Sequence, residues 1–170
     1  MQPLRKENCK IFLSYIKEVL CSNNEEHYIY ILKWISNMIK GEKNDSLLYL
    51  KGVQGIGKST LTEMLINYVL GTDITLECGS EPLRSQFNKI LMGRLLVVFE
   101  ELETFSKNEW IAVSGRLKRY TTSNTIDFEV KNEKKFQGEN INNYIINTNV
   151  DALKDSEGRR IFILDLSTKK

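Results

Sequence analysis

The chain has 170 residues and a mass of 19.7 kDa, with 41% hydrophobic and 27% charged residues, which fits a globular unit with a real core and excludes a disordered, collagenous or disulfide-knotted chain. Twenty-four Lys and Arg against 22 Asp and Glu leave a net charge of +2, so no global positive field marks a nucleic-acid binder and any basic surface must be local. No uninterrupted apolar run exceeds the five residues of 95–99, far short of the ~20 residues that span a bilayer, and the charged amino terminus is unlike a signal peptide, so a soluble, intracellular protein without membrane contact is expected.

Taken in chain order, Ile11, Phe12, Tyr15, Ile16, Val19 and Leu20 recur in pairs four apart and predict an amphipathic helix over residues 4–20. A second helix follows, with cap candidates Ser22, Asn23 and Asn24 before Tyr28, Ile31, Leu32, Ile35, Met38 and Ile39, and with Gly41 at its end. From residue 47 the pattern changes to short apolar runs alternating with helical segments, the signature of a largely parallel sheet covered by helices. Strands are predicted at 47–51, 74–78, 95–100, 125–131, 144–147 and 160–166, and helices at 58–70, 82–91 and 107–120. Residues 132–143 read as the one loop-like tract. Neither a linker nor an internal repeat interrupts the chain. Cys9, Cys21 and Cys78 are too widely spaced, and His27 too isolated, to form a tetrahedral metal site; they read as free or structural groups.

Between the first strand and the following helix, Gly52-Val53-Gln54-Gly55-Ile56-Gly57-Lys58-Ser59 matches GxxxxGK[ST] in its required strand and helix context. Glycines let successive backbone N–H groups turn inward around a phosphate, and the helix N-terminus adds partial positive charge. The pattern assigns ATP binding to Gly52, Gln54, Gly55, Ile56, Gly57, Lys58, Ser59 and Thr60, with Lys58 reaching the β- and γ-phosphates and Ser59 holding Mg²⁺. The strand ending in Glu100-Glu101 supplies two acids beyond a carboxyl end, where open parallel sheets bind ligands. Glu100 is assigned to the Mg²⁺ shell and Glu101 to orienting the attacking water. Glu103 and Glu109 read as surface charge.

With these residues in place the chain resembles the superfamily 3 helicases, AAA+-related ATPases of viruses, phages and plasmids, over residues 28–166. Trp34, the run Leu47-Leu48-Tyr49-Leu50-Lys51-Gly52 and Gln86-Phe87-Asn88 are similar to the phage and large-virus helicase-primase branch. The resemblance implies that a strand ending in Asn senses the γ-phosphate, with Asn149 the better match in Tyr144-Ile145-Ile146-Asn147-Thr148-Asn149 and Asn147 the second. It also implies an arginine finger in Gly158-Arg159-Arg160, with Arg160 favoured by position over Arg159, acting in the neighbouring subunit of a hexameric ring. Residues 123–140 resemble a pore hairpin whose Lys131, Lys134, Lys135 and Phe136 contact single-stranded DNA, RNA not being excluded. Over residues 115–135, Arg116, Lys118, Arg119 and those three lysines face Asp127, Glu129 and Glu133, a local +3. The chain departs from the family in placing Glu100 where the first acid is usually Asp, and in carrying no primase or origin-binding domain.

The resulting expectation is an α/β, AAA+-like P-loop NTPase with a central, mostly parallel sheet, helices on its faces and an inserted β-hairpin. Residues 1–45 form a helical region of the same domain, a candidate oligomerisation surface, and residues 46–170 the ATPase core. The expected activity is ATP- and Mg²⁺-dependent translocation on single-stranded DNA during replication of a virus, phage or mobile element, by a homo-oligomer working with a primase or initiator. Two rivals stand beside it: a non-motor ATP-dependent clamp or loader, and a small P-loop phosphotransferase.

Overall fold

The computed structural model describes residues 6–102, 104–150 and 160–166. Two helices lead the chain: α1 (Lys6–Ser14), continued by a π-helical stretch over Tyr15–Leu20, and α2 (Glu25–Ile39). Then follow β1 (Leu47–Lys51), α3 (Lys58–Met64, extended by π-helical Leu65–Leu70), β2 (Thr75–Cys78), the single-turn α4 (Glu81–Arg84) and β3 (Leu96–Glu100). The rest is α5 (Lys107–Thr122), β4 (Thr125–Phe128), β5 (Phe136–Glu139), β6 (Asn143–Thr148) and β7 (Ile161–Asp165).

Five strands pair in parallel in the order β2-β3-β6-β1-β7, while β4 and β5 form a separate antiparallel hairpin. Side chains alternate across a strand, so the apolar run of β1 serves two cores. Leu48 and Leu50 join Leu96, Val98, Ile145 and Leu164 beneath α1, α2 and α3. Leu47 and Tyr49 join Val97, Phe99, Tyr144 and Ile146 beneath α5 and the hairpin. With both faces covered, polar groups collect at the strand ends.

Local signals account for the helix termini. The Asn24 side chain accepts from the His27 N–H to cap α2, and Gly41, at φ +82°, lies just past its end. At α5, Ser106 and Glu109 bond reciprocally to each other's main chain, a capping box that gives the surface residue Glu109 a structural task and holds its carboxyl below the ordinary range.

The structure corrects three sequence expectations. Ile11 is 68% exposed rather than part of the buried stripe, because the π-helical stretch, with the Cys21 N–H bonded to the Ile16 carbonyl, shifts the face that Ile16 and Leu20 bury. The helix expected over 82–91 stops at Arg84: Ser85 is extended and its Oγ accepts from the Phe87 N–H, an alternative to continuing the helix. The strand expected to reach residue 131 ends at Phe128, and the tract 132–143, expected to be a loop, supplies β5 and the start of β6.

That break in the helix frees Asn88 for a different role. Its side chain accepts from the Glu129 N–H at 3.0 Å, donates to the Asp127 carbonyl at 3.0 Å and reaches the Tyr120 hydroxyl at 3.2 Å, tying β4 to the body of the fold. Replacing Asn88 by Ala strands a buried donor and acceptor, so a stability loss of about 1–3 kcal/mol is expected. Chemical denaturation will check it; a midpoint equal to that of the unsubstituted protein would show that the clamp contributes nothing.

Candidate functional site

The carboxyl ends of β1, β3 and β6 open into one cleft of about 270 Å³, lined by the glycine-rich loop, Glu63, Glu100, Glu101, Asn147, Thr148 and Asn149. The loop's path is set by backbone geometry. Gly55 and Gly57 adopt φ +82° and +101°, the left-handed region where an L side chain is strained. Gly52 is needed for another reason, since a Cβ there would stand 3.0 Å from Leu166 Cβ. Ile56 packs against the core, so only its main chain is available to a ligand, whereas Gln54, Gly55, Ser59 and Thr60 are exposed at the cleft. The N–H groups of Lys58 and Ser59 open α3 and have no intrahelical acceptors.

Lys58 is buried. Its Nζ donates to the Gly52 carbonyl at 2.5 Å, the Val53 carbonyl at 3.0 Å and Asn149 Oδ1 at 2.8 Å. Burial lowers its pKa, against the opposing pull of Glu100. Asn149, which is exposed, therefore lies at the lysine end of the cleft.

Asn147 takes a different position. It sits on the central strand β6, is almost fully buried, and donates from Nδ2 to Glu100 Oε1 at 2.6 Å. Its Oδ1 is buried with no hydrogen-bond partner among the described residues. Burial raises the Glu100 pKa first; the Asn147 bond lowers it, Glu77 and Glu101 raise it, and Lys58 lowers it. Glu101 is exposed and held at φ +51°, with its N–H bonded to the Asn147 carbonyl at 3.0 Å. Such strain in a non-glycine residue is characteristic of functional positions. The resemblance offers Asn147 only as the second choice for a different role, a γ-phosphate sensor; only strand order reveals its pairing with Glu100.

Other expected residues lie elsewhere. Arg160 precedes β7, its carbonyl accepting from the Leu47 N–H at 2.9 Å at the amino-terminal edge of the sheet. Five residue steps of β7, on the order of 16 Å, separate it from the level of the cleft, beyond reach of its own Lys58. Arg159 lies outside the described residues, as does Glu103. In the hairpin, Lys131 and Lys134 are exposed on the connecting loop 129–135. Lys135, the last residue of that loop, ion-pairs with Asp127 at 3.3 Å and Glu129 at 3.1 Å. Phe136 opens β5 opposite Phe128, 5.7 Å between ring centroids, and stays 40% exposed. Arg119 also pairs with Asp127, at 2.5 Å, and Lys89 with Glu133 at 3.6 Å. Three acids of the segment thus hold Arg119, Lys135 and Lys89 in surface ion pairs, and the net +3 of residues 115–135 is unchanged by that pairing. Among the described residues, no helix is long and apolar enough to cross a membrane.

The raised pKa of Glu100 has a measurable consequence. A carboxyl whose folded pKa lies above its ordinary 4.5 contributes stability that is complete below that value and is lost as pH rises through the folded value. Stability of the Glu100→Gln variant should therefore gain on that of the unsubstituted protein as pH rises from about 4 to 8. Denaturation midpoints across that range will test it, and a drift in the opposite direction would mean that Lys58 outweighs burial.

A solved apo structure of the C-terminal region of NrS-1 superposes with a TM-score of 0.76 at 23% identity, covering 97% of this chain and 40% of that one. An A-form apo structure of the same region gives 0.76 at 23% identity, covering 98% and 40%. In sequence, the chain is 28% identical over 127 residues to the DNA primase-polymerase of Nitratiruptor phage NrS-1, covering 74% of this chain but only 18% of that protein. The structural likeness concerns the fold: an α/β unit with a five-stranded parallel sheet between helices. A family profile matches residues 50–160, from the end of β1 to Arg160, and the chain belongs to that family, DUF5906, a family of unknown function.

Proposed function

We propose that this chain is an ATP-hydrolysing module of a phage-type DNA replication protein, with the AAA+-like P-loop architecture of the superfamily 3 helicases. The observation that carries the reading is the convergence, in one cleft, of Lys58 with Asn149 at 2.8 Å and of Glu100 with Asn147 at 2.6 Å. Three motifs separated by tens of residues meet only because β6 lies between β1 and β3. The likeness to the NrS-1 primase-polymerase supports a setting in phage DNA replication.

The donor set fits a magnesium nucleotide. Left-handed glycines keep side chains out of the turn, a buried ammonium stands at its base, and Asn147 Oδ1 is a buried acceptor still available to a donor in the cleft. Ser59 and Glu100 would hold Mg²⁺, which supplies charge neutralisation on the phosphates; with one or two protein ligands that ion keeps the rest of its shell from water and phosphate oxygens. Lys58 offsets charge on the β- and γ-oxygens. Glu101, exposed to the cleft, orients a water and accepts its proton as oxygen attacks the γ-phosphorus and the bond to the β-phosphate oxygen breaks. Asn149, hydrogen-bonded to Lys58, reads the γ-phosphate through an uncharged amide.

Arg160 is out of reach of its own cleft, which favours a role in the cleft of a neighbouring copy and hence a homo-oligomeric ring, a hexamer by the resemblance. Lys131 and Lys134, with the exposed ring of Phe136, offer single-stranded DNA a phosphate and stacking surface that reads no sequence. RNA would meet the same groups.

ATP hydrolysis measured at rising protein concentration, with and without single-stranded DNA, tests the reading. Lys58→Ala and Glu101→Gln should each lower the rate at least about a hundredfold, the scale for removing one transition-state group, and Glu101→Gln should still bind ATP. The rate per subunit should climb with concentration and fall in Arg160→Ala. A rate flat in concentration and indifferent to DNA and Arg160 would mean a self-contained enzyme such as a phosphotransferase, and hydrolysis retained in Lys58→Ala would overturn the assignment.

A further inference from the structure

The amino-terminal helix touches the glycine-rich loop at one point. Tyr15, the first residue of the π-helical stretch, donates its hydroxyl to the Gly57 carbonyl. The same carbonyl accepts from the Thr60 N–H at 3.1 Å, so two donors hold one peptide group. The contact is also steric: a Cβ on Gly57 would stand 3.5 Å from the Tyr15 ring and 3.8 Å from Val19 Cγ1. Behind it, Ile16 and Leu20 are buried in the core and the Phe12 ring stacks on Tyr15, 6.5 Å between centroids and 17° from parallel. Tyr15 is thus presented by a segment with little freedom to retreat. Burial pushes its hydroxyl pKa upward, so it remains a donor throughout the physiological range.

The peptide joining Gly57 to Lys58 is planar and trans, so its carbonyl and its N–H point in opposite directions. Gly57, at φ +101° and ψ 10°, has no side chain to restrict rotation of this group, so its orientation depends on the two donors that hold its carbonyl, the Thr60 N–H and the Tyr15 hydroxyl. We propose that Tyr15 is a positioning residue for polyphosphate binding: by holding the Gly57 carbonyl on the α1 side, it aims the Lys58 N–H away from α1, toward the phosphates of a bound nucleoside triphosphate. This rests on the nucleotide reading above and extends it to residues 1–45, which gain a direct effect on the cleft. The Tyr15 hydroxyl does not touch the reacting atoms; it acts through the main chain of the loop and through the first turn of α3, where it also interacts with the Thr60 side chain and the Leu61 main chain.

A residue that pre-orients a ground-state contact contributes equally to substrate and transition-state binding, so its loss raises KM and leaves kcat nearly unchanged. Tyr15→Phe keeps the ring, its stacking and its contact with Gly57, and removes only the hydroxyl. Calorimetric titration with Mg-ATP and with Mg-ADP, together with steady-state hydrolysis, should show affinity reduced about fivefold, the equivalent of one net hydrogen bond, with KM raised in parallel and kcat within about twofold. Amide hydrogen exchange without nucleotide should be faster over residues 52–59 in the variant, and unchanged in β3 and β6. Equal affinity in the two proteins, or equal loop exchange, would overturn the proposal. Failure of the unsubstituted protein to bind either nucleotide would defeat the nucleotide reading itself, an outcome distinct from normal binding that ignores Tyr15.

Discussion

The insertion of β6 between β1 and β3 is the constraint on which the rest of the cleft depends. Parallel neighbours lie about 4.8 Å apart, so residues leaving the carboxyl ends of three adjacent strands fall within hydrogen-bond reach of one another. The pairing of Glu100 with Asn147, and of Lys51 with Thr148, fixes that alignment to the residue. A slip of one residue would turn every side chain of β6 to the other face and remove Asn147 from Glu100. Alternation along β6 toward two apolar cores makes such a slip costly, because Ile145 would exchange environments with Tyr144 and Ile146. The large apolar interior thus serves the chemistry indirectly, by fixing the register of three polar ends.

That arrangement sets the electrostatics. Burial disfavours charge on both Lys58 and Glu100, and their mutual attraction only partly offsets it. The lysine is satisfied by two carbonyls of its own loop and by Asn149, and Glu100 by Asn147. Each is hydrogen-bonded yet incompletely neutralised. A ligand carrying both phosphate oxygens and a divalent cation complements these two environments at once, since anionic oxygens suit Lys58 and the loop N–H groups while a cation suits Glu100. A cleft built for a neutral small molecule would have no use for a half-buried carboxylate opposite a buried ammonium.

How much of this was legible in the sequence follows from the range of the interactions. The glycine-rich loop was readable because its chemistry is contained in eight consecutive residues, and the strands that carry the site because an apolar run buried on both faces has few alternatives. The S-x-x-E spacing of Ser106 and Glu109 is likewise a local signal, and it marks the start of α5. Others depended on distant partners. No local pattern announces that Asn88 bonds to main chain 39 and 41 residues away, that Asn147 orients Glu100, or that Tyr15 holds a carbonyl 42 residues on. Charge counting has the same limit: it gives the net charge of the segment but not that Lys135 and Arg119 both end on Asp127, which leaves Lys131 and Lys134 as the exposed lysines of the connecting loop without a carboxylate pairing of this kind among those described.

The geometry also explains why α5 matters more than its mostly exposed surface suggests. Capped at Ser106, a few residues beyond Glu101, its 16 residues run about 24 Å before the chain turns into the hairpin. Along the way Trp110, Ser114, Leu117, Lys118 and Thr121 line the pocket that contains Arg160, and Arg119 pairs with Asp127 of β4. One rigid element therefore links the acidic end of the cleft, the arginine at the opposite end of the sheet and the hairpin. The capping box keeps its first turn from fraying, while Tyr120 ties its last turns to the Pro82 carbonyl of α4 and, through the Asn88 clamp, to the loop end of β4.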